Sequence, residues 1–190
     1  MSGVGSPRML VTGLSLSAAA FIGLVVHEQY TDKAVVPTQG DRPTVGFGST
    51  FHENGAPVKM GDTTTPVRAL IKAQAHIAKE EAVFRDSLAG VPLYQGEYDL
   101  YMDWVYQFGT GAWLKSGMRA QLRLGNYEAA CAALLDYRKM TSARKEGPGW
   151  VPSKRTPGRW EFDCSTPGNK VCRGVWTRQQ ERHQRCMEMQ

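Results

Sequence analysis

Residues 27–49 read HEQYTDKAVVPTQGDRPTVGFGS, and the two ends of this stretch set most of what the chain builds. It opens on His27-Glu28, joined without a spacer to an uncharged run at residues 9–26 (MLVTGLSLSAAAFIGLVV) that follows Arg8. It closes on Thr44-Val45-Gly46-Phe47-Gly48, whose alternation predicts a short strand, and Glu53-Asn54-Gly55-Ala56 adds a turn signal beyond it. Residues 28–62 are therefore expected to form a small antiparallel sheet of two or three strands.

Upstream, eighteen uncharged residues reach the lower limit for a helix that crosses a bilayer. Thr12, Gly13, Ser15, Ser17, Ala18–Ala20 and Gly23 dilute the larger apolar side chains, and each CH2 so removed forfeits about 0.8 kcal/mol of burial. The run ends in Leu24-Val25-Val26-His27-Glu28, a poor site for a signal peptidase, so export without cleavage is the preferred reading. Arg8 and the α-amino group orient such a segment N-in, C-out. A buried helix of a cytosolic protein is the third reading. Residues 1–27 are taken as a transmembrane-like address and residues 28–190 as one catalytic domain.

Downstream, Thr65-Pro66 predicts an N-cap and a first-turn proline. Val67, Leu70, Ile71, Ile77, Ala78, Phe84 and Leu88 then recur at helical spacing, predicting one long amphipathic helix over 66–89 that Gly90-Val91-Pro92 ends. Further helices are expected at 96–108, 112–124, 126–140 and 173–188, with glycines at 109, 111 and 125 at the joins. Residues 141–163, rich in Gly and Pro, read as a loop insertion in which Trp150 and Trp160 pin the chain or offer a stacking face to a ligand, pinning being preferred. Glu80-Glu81 reads as a solvated face. The fold class expected is α+β, mainly helical.

The net charge of +5 is concentrated late, with twelve Lys or Arg against four acids between Arg138 and Arg185. Such an excess suits a solvated face or a polyanionic partner. The stretch carries no DNA- or RNA-recognition motif, so no nucleic-acid partner is expected. All four cysteines also lie late. Cys164 and Cys172 bracket a Ser-Thr-Pro-Gly-Asn turn short enough for a disulfide, the preferred reading, while the pairing of Cys131 and Cys186 stays open. No zinc-type spacing occurs, and neither metal nor cofactor is expected.

Glycosidic cleavage needs an acid on the leaving oxygen and a means of managing water on the other face of the sugar. Glu28, behind an apolar segment, suits the first role, since partial burial would keep it protonated near neutral pH. Asp41 and Thr44 suit the second.

Glu28 and Tyr30, followed by Pro43-Thr44-Val45-Gly46-Phe47-Gly48, resemble the phage-type lysozymes of glycoside hydrolase family 24. In that family a Glu, eight residues, an Asp or Cys, five residues and a Thr open a T-hydrophobic-G-hydrophobic-G strand. The resemblance continues through Tyr98-Asp99-Leu100 to Tyr106-Gln107-Phe108-Gly109, Ala112–Ser116, Gly125–Ala130 and Gly174–Gln179. It implies a sheet lobe and a helical lobe joined by the long helix, with a substrate cleft between them. It also implies an endolysin that hydrolyses the β-1,4 bond between N-acetylmuramic acid and N-acetylglucosamine in peptidoglycan and lyses the host cell. Glu28 and Thr44 fall on family positions, and Tyr106 and Ser116 on positions that line the cleft. One position departs: with five residues left between it and Thr44, the family's Asp or Cys position falls on Thr38, so either Asp41 or Thr38 partners Glu28, and Asp41 is preferred.

The N-terminus resembles signal-arrest-release segments, which implies Sec-dependent export, tethering in the inner membrane facing the periplasm, and later release into the periplasm. No cysteine precedes Cys131, which excludes thiol exchange with the segment. Two other functions compete: a lytic transglycosylase, which needs one acid alone, and a non-catalytic peptidoglycan-binding or membrane-disrupting protein.

Overall fold

Thr65 starts the longest helix as its side chain predicts: Thr65 Oγ1 accepts the Arg68 amide at 3.4 Å, and Pro66 occupies the first turn, where its missing N–H costs nothing. The computed structural model describes residues 7–28, 30–37 and 41–190, without the side chains of His27 and Glu28. The chain is α+β and mainly helical, and it divides into two units, Met1–Leu114 and Lys115–Gln190.

In chain order the first unit holds β1 (Met9–Leu10), a 3-10 turn at Val11–Gly13, α1 (Ala18–Glu28), β2 (Thr31–Val35) and β3 (Thr44–Gly46). These are followed by α2 (Pro66–Ser87), β4 (Pro92–Leu93), α3 (Gln95–Phe108) and α4 (Thr110–Trp113). Strands β1 and β4 pair antiparallel, Met9 opposite Leu93 and Leu10 opposite Pro92. Strands β2 and β3 form a second antiparallel pair, with Thr31 opposite Gly46, Val35 opposite Thr44 and an irregularity between them.

The run at residues 9–26 thus forms no single membrane-length helix here. It is divided into a strand, a 3-10 turn, an extended link and the eleven-residue α1. Among the described residues, no helix is long and apolar enough to cross a membrane. Ser17 supplies the restart: its Oγ accepts the Ala20 amide at 3.1 Å and starts the helix there.

The core of this unit is aromatic. Phe84 on α2, fully buried, lies 5.2 Å from the Tyr98 ring and 4.9 Å from Trp113, and Tyr101 lies 5.7 Å from Trp113. Trp113 Nε1 donates to Ser87 Oγ at 2.8 Å, so the one polar atom of that indole is paired. The buried stripe of α2 is Ala69, Ala73, Ile77 and Phe84. Val67 and Ile71, expected on that stripe, lie at the surface, 65% and 56% exposed. Small Ala69 and Ala73 take the inward positions because β3 passes close to the first turns of α2.

The second unit contains α5 (Gly117–Arg123), α6 (Tyr127–Ala133), a 3-10 turn at Leu134–Asp136, β5 (Lys139–Ser142), β6 (Val151–Pro152), β7 (Trp160–Asp163) and α7 (Arg173–Met187). The expected helix over 112–124 is interrupted because Ser116 caps a new start, its Oγ accepting the Arg119 amide at 3.1 Å. The expected loop at 141–163 is instead part of a three-stranded sheet in the order β5-β7-β6. Trp150 is buried there beside Phe162 and the Cys164–Cys172 disulfide, so it pins the sheet. Cys131 bonds Cys186 across a separation of 55 residues, tying α6 to α7. Closing a loop of that length removes about 4 kcal/mol of unfolded-chain entropy on the chain-entropy view.

Phe84→Ala is expected to lower unfolding free energy by about 3–5 kcal/mol, since it opens a cavity beside the Tyr98 and Trp113 rings. Urea titration followed by tryptophan fluorescence measures this. A loss below about 1 kcal/mol would show that Phe84 does not hold this core.

Candidate active site

Thr44 opens β3 half-buried, and its Oγ1 donates to the Val35 carbonyl on β2 at 3.4 Å. With its proton engaged there, that oxygen presents only acceptor lone pairs to its other side. Val45 turns inward, and Gly46 follows at φ +69°, where a Cβ would stand 2.9 Å from the Ala69 Cβ on α2. Glycine is needed at that point twice over, for the backbone angle and for the close approach of strand to helix. Val45 and Ser49 exchange backbone hydrogen bonds at 3.0 and 3.1 Å, closing the turn beyond the strand.

Tyr30 sits at the entry to β2. Its hydroxyl donates to the Thr64 carbonyl at 3.3 Å and its ring lies 5.5 Å from Phe47, which links the hairpin to the approach of α2. Asp41 is exposed and lies outside regular structure, three residues before Thr44. Glu28 is the last residue of α1. Its side chain, and Thr38, lie outside the described residues.

Beside β3 a cleft of about 340 Å³ is lined by Val45, Gly46, Ser49, His52, Thr64 and Arg68, among others. Its rim is fixed by a histidine–carboxylate hydrogen bond and by one ion pair. His52 Nε2 lies 2.7 Å from Asp62 Oδ2, which also accepts the Lys59 amide at 2.8 Å, and Arg68 meets Glu53 at 3.5 Å. The Lys59 amide and His52 hold the Asp62 carboxyl below the usual range. Neither His52 nor Asp62 stood out in the sequence, where a His and an Asp ten residues apart in a loop carry no signal. Among the described residues, no group of three His, Cys, Asp or Glu side chains could hold a metal ion.

The remaining expected residues fall one in each unit. Tyr106 is half-buried on α3, edge-on to the His76 ring at 6.0 Å. Ser116 belongs to the second unit, is 3% exposed and spends its Oγ on capping α5.

Glu80 and Glu81 are not a solvated face. Glu81 Oε1 accepts the Tyr98 hydroxyl and the Leu16 amide, both at 2.6 Å. Glu80 stands 3.7 Å from His76 Nε2, its side chain 15% exposed, and burial pushes its carboxyl up to about 7. Burial and then Lys79 push His76 the other way, below its ordinary value.

Residues 23–155 match the phage lysozyme family. The endolysin of Salmonella phage P22 is 35% identical over 115 residues, 60% of this chain and 75% of that protein. The endolysin of Acyrthosiphon pisum secondary endosymbiont phage 1 is 29% identical over 137 residues, 71% of this chain and 84% of that protein. The structure of an endolysin from Escherichia coli O157:H7 phage FAHEc1 superimposes with a TM-score of 0.69 at 20% identity, covering 94% of this chain and 96% of that one. The last likeness is one of fold, and the fold is lysozyme-like.

Two outcomes are expected. Gly46→Ala should both destabilise the chain and lower turnover, because β3 must move away from Ala69 and takes Thr44 with it; unchanged turnover would separate Thr44 from the chemistry. The raised Glu80 carboxyl binds its proton more tightly when folded, so its contribution to stability is full below pH 4.5 and is lost as pH rises through about 7. Glu80→Gln should therefore match the parent at pH 4 and exceed it by about 2 kcal/mol at pH 8, as read by urea unfolding at the two pH values.

Proposed function

The chain belongs to the phage lysozyme family, and on that premise we propose that it is an endolysin whose substrate is peptidoglycan. It cuts the β-1,4 bond between N-acetylmuramic acid and N-acetylglucosamine. The reading is carried by one arrangement: a glutamate that ends α1, followed by a threonine that opens a strand packed against the long helix. Glu28 protonates the leaving glycosidic oxygen. A water on the opposite face donates one hydrogen bond to Thr44 Oγ1, whose own proton is engaged by Val35, and gives up a proton to Asp41 as it attacks the anomeric carbon. Tyr106 contributes to holding the sugar, and no cofactor takes part.

The same reading places residues 9–26 in the host inner membrane before lysis, reached through Sec, with the catalytic part facing the periplasm. Two features support release without cleavage. The run has no charge but is diluted by small and hydroxylated residues, so its hold on lipid is marginal. In the folded chain Val11, Leu14, Leu24 and Val25 are buried, so part of its apolar surface has a second environment shielded from water.

Glu28→Gln is expected to abolish murein clearing while leaving the fold intact; full activity in that variant would refute the enzymatic reading. Asp41→Asn should cut turnover by about a hundredfold, at the lower end of what a lost general base costs, and Thr38→Ala by little. The reverse order would move the water-directing role to Thr38. Products with reducing ends are expected, and anhydromuramic ends would identify a lytic transglycosylase. Membrane fractionation with and without an uncoupler tests the address: release of full-length protein, accompanied by activity, is the expected result.

A further inference from the structure

Three carboxylates of the first unit turn toward the N-terminal segment. Glu97 on α3, 1% exposed, accepts Arg8 Nη2 at 2.9 Å on Oε1 and Arg8 Nε at 3.1 Å on Oε2, a two-pronged pair, and its Oε2 also takes the Tyr94 amide at 2.8 Å. The Arg8 guanidinium lies over the Tyr94 ring, 4.4 Å from its centre. Glu81 on α2 accepts the Leu16 amide, and Asp99 on α3 accepts the Ser17 amide at 3.0 Å. Gln95 completes the set, donating from one Nε2 to Ser15 O at 2.8 Å and to Asp99 at 2.9 Å. Between these two grips the Val11 amide bonds Val91 O at 3.0 Å, and β1 pairs with β4.

Helix α1 begins at the next residue and has no acid in its own first turn. The negative charge that complements its N-terminal end comes from α2 and α3, about 65 to 82 positions away in sequence. Its other end is Glu28. Eleven residues at about 1.5 Å per residue make a rigid arm of about 16 Å. A shift where the arm is held therefore reappears at its tip, and a misplacement of about 1 Å can cost about a hundredfold in rate.

We propose that Arg8, Glu81, Glu97 and Asp99 are positioning residues for Glu28. They clamp residues 8–17 onto α2 and α3 and thereby fix where α1 delivers its last residue. The proposal rests on the reading of Glu28 as the acid.

The test compares full-length Arg8→Glu, Glu97→Arg and the double exchange, together with the milder Asp99→Ala, on soluble peptidoglycan fragments. Each single reversal is expected to lower kcat at least tenfold with KM within twofold of the parent, and the exchange to restore kcat to within threefold. Should the reversals not fold, Asp99→Ala carries the test. Amide exchange should accelerate at Ser17 and along α1 but not along α2 or α7, and kcat should fall with KM unchanged. Parental kcat in Asp99→Ala, or a uniform rise in exchange across both units, would overturn the proposal. A parent that binds fragments without cutting them would instead overturn the reading of the function, and the exchange data would still report on the clamp.

Discussion

Glu97 is a carboxylate in the interior of the first unit, and it meets its cation 89 positions earlier in the chain, at Arg8. An unpaired charge at that depth is strongly unfavourable, while the pair itself gains little over apolar packing of the same volume. What the pair contributes is registry. Once Arg8 is seated, Leu10 and Met9 lie against Pro92 and Leu93, Val11 enters the core, and the chain reaches Ser17 where Asp99 receives its amide. The start of α1, and therefore its end at Glu28, follows from where one guanidinium lies.

This placement also explains why a helix so poor in charge is well capped. Residues 9–26 carry no ionisable side chain, so what resists an apolar environment in them is the backbone and the hydroxyls of Thr12, Ser15 and Ser17. A continuous helix satisfies that backbone internally in lipid. In the folded chain the same run is broken at Gly13–Ser17, and the amides so exposed are met by Glu81 and Asp99. Keeping the acids on α2 and α3 leaves the segment uncharged, which is what the proposed membrane address requires of it. The apolar side chains divide in the same way, with Val11 and Leu24 buried and Leu10, Ile22 and Val26 at the surface.

Elements several turns long were legible in the sequence because their periodicity repeats: α2, α3 and α7 begin and end within about two residues of expectation. The threonine and glycines of 44–48 were legible because each answers a local demand, a hydroxyl at the strand start and a backbone angle next to α2. The strands at 139–163 were not, since stretches of two to four residues contain no full repeat. Glu80-Glu81 was unreadable for a different reason. Two adjacent acids on a helix look solvated unless the amide and phenol that claim Glu81 are known to lie beside it, and both come from other parts of the chain. Val67 and Ile71 misled because apolar residues at helical spacing mark a face without saying whether anything covers it.

The two halves of the proposed site therefore differ in how they are built. Thr44 depends on Val35, Gly46 and Ala69, all drawn from β2, β3 and the first turn of α2, within a few tens of residues of one another. Glu28 depends on bonds that span 65 to 89 positions and on a segment that nothing covalent holds against α2 and α3. Local contacts close short loops and form at small entropic cost, whereas the long-range set must bring distant parts of the chain together. The half that receives water is thus complete without the N-terminal segment, and the half that supplies the proton is not. Under the proposed function, moving the eighteen uncharged residues would displace the acid with no change needed in the strand and helix that hold Thr44.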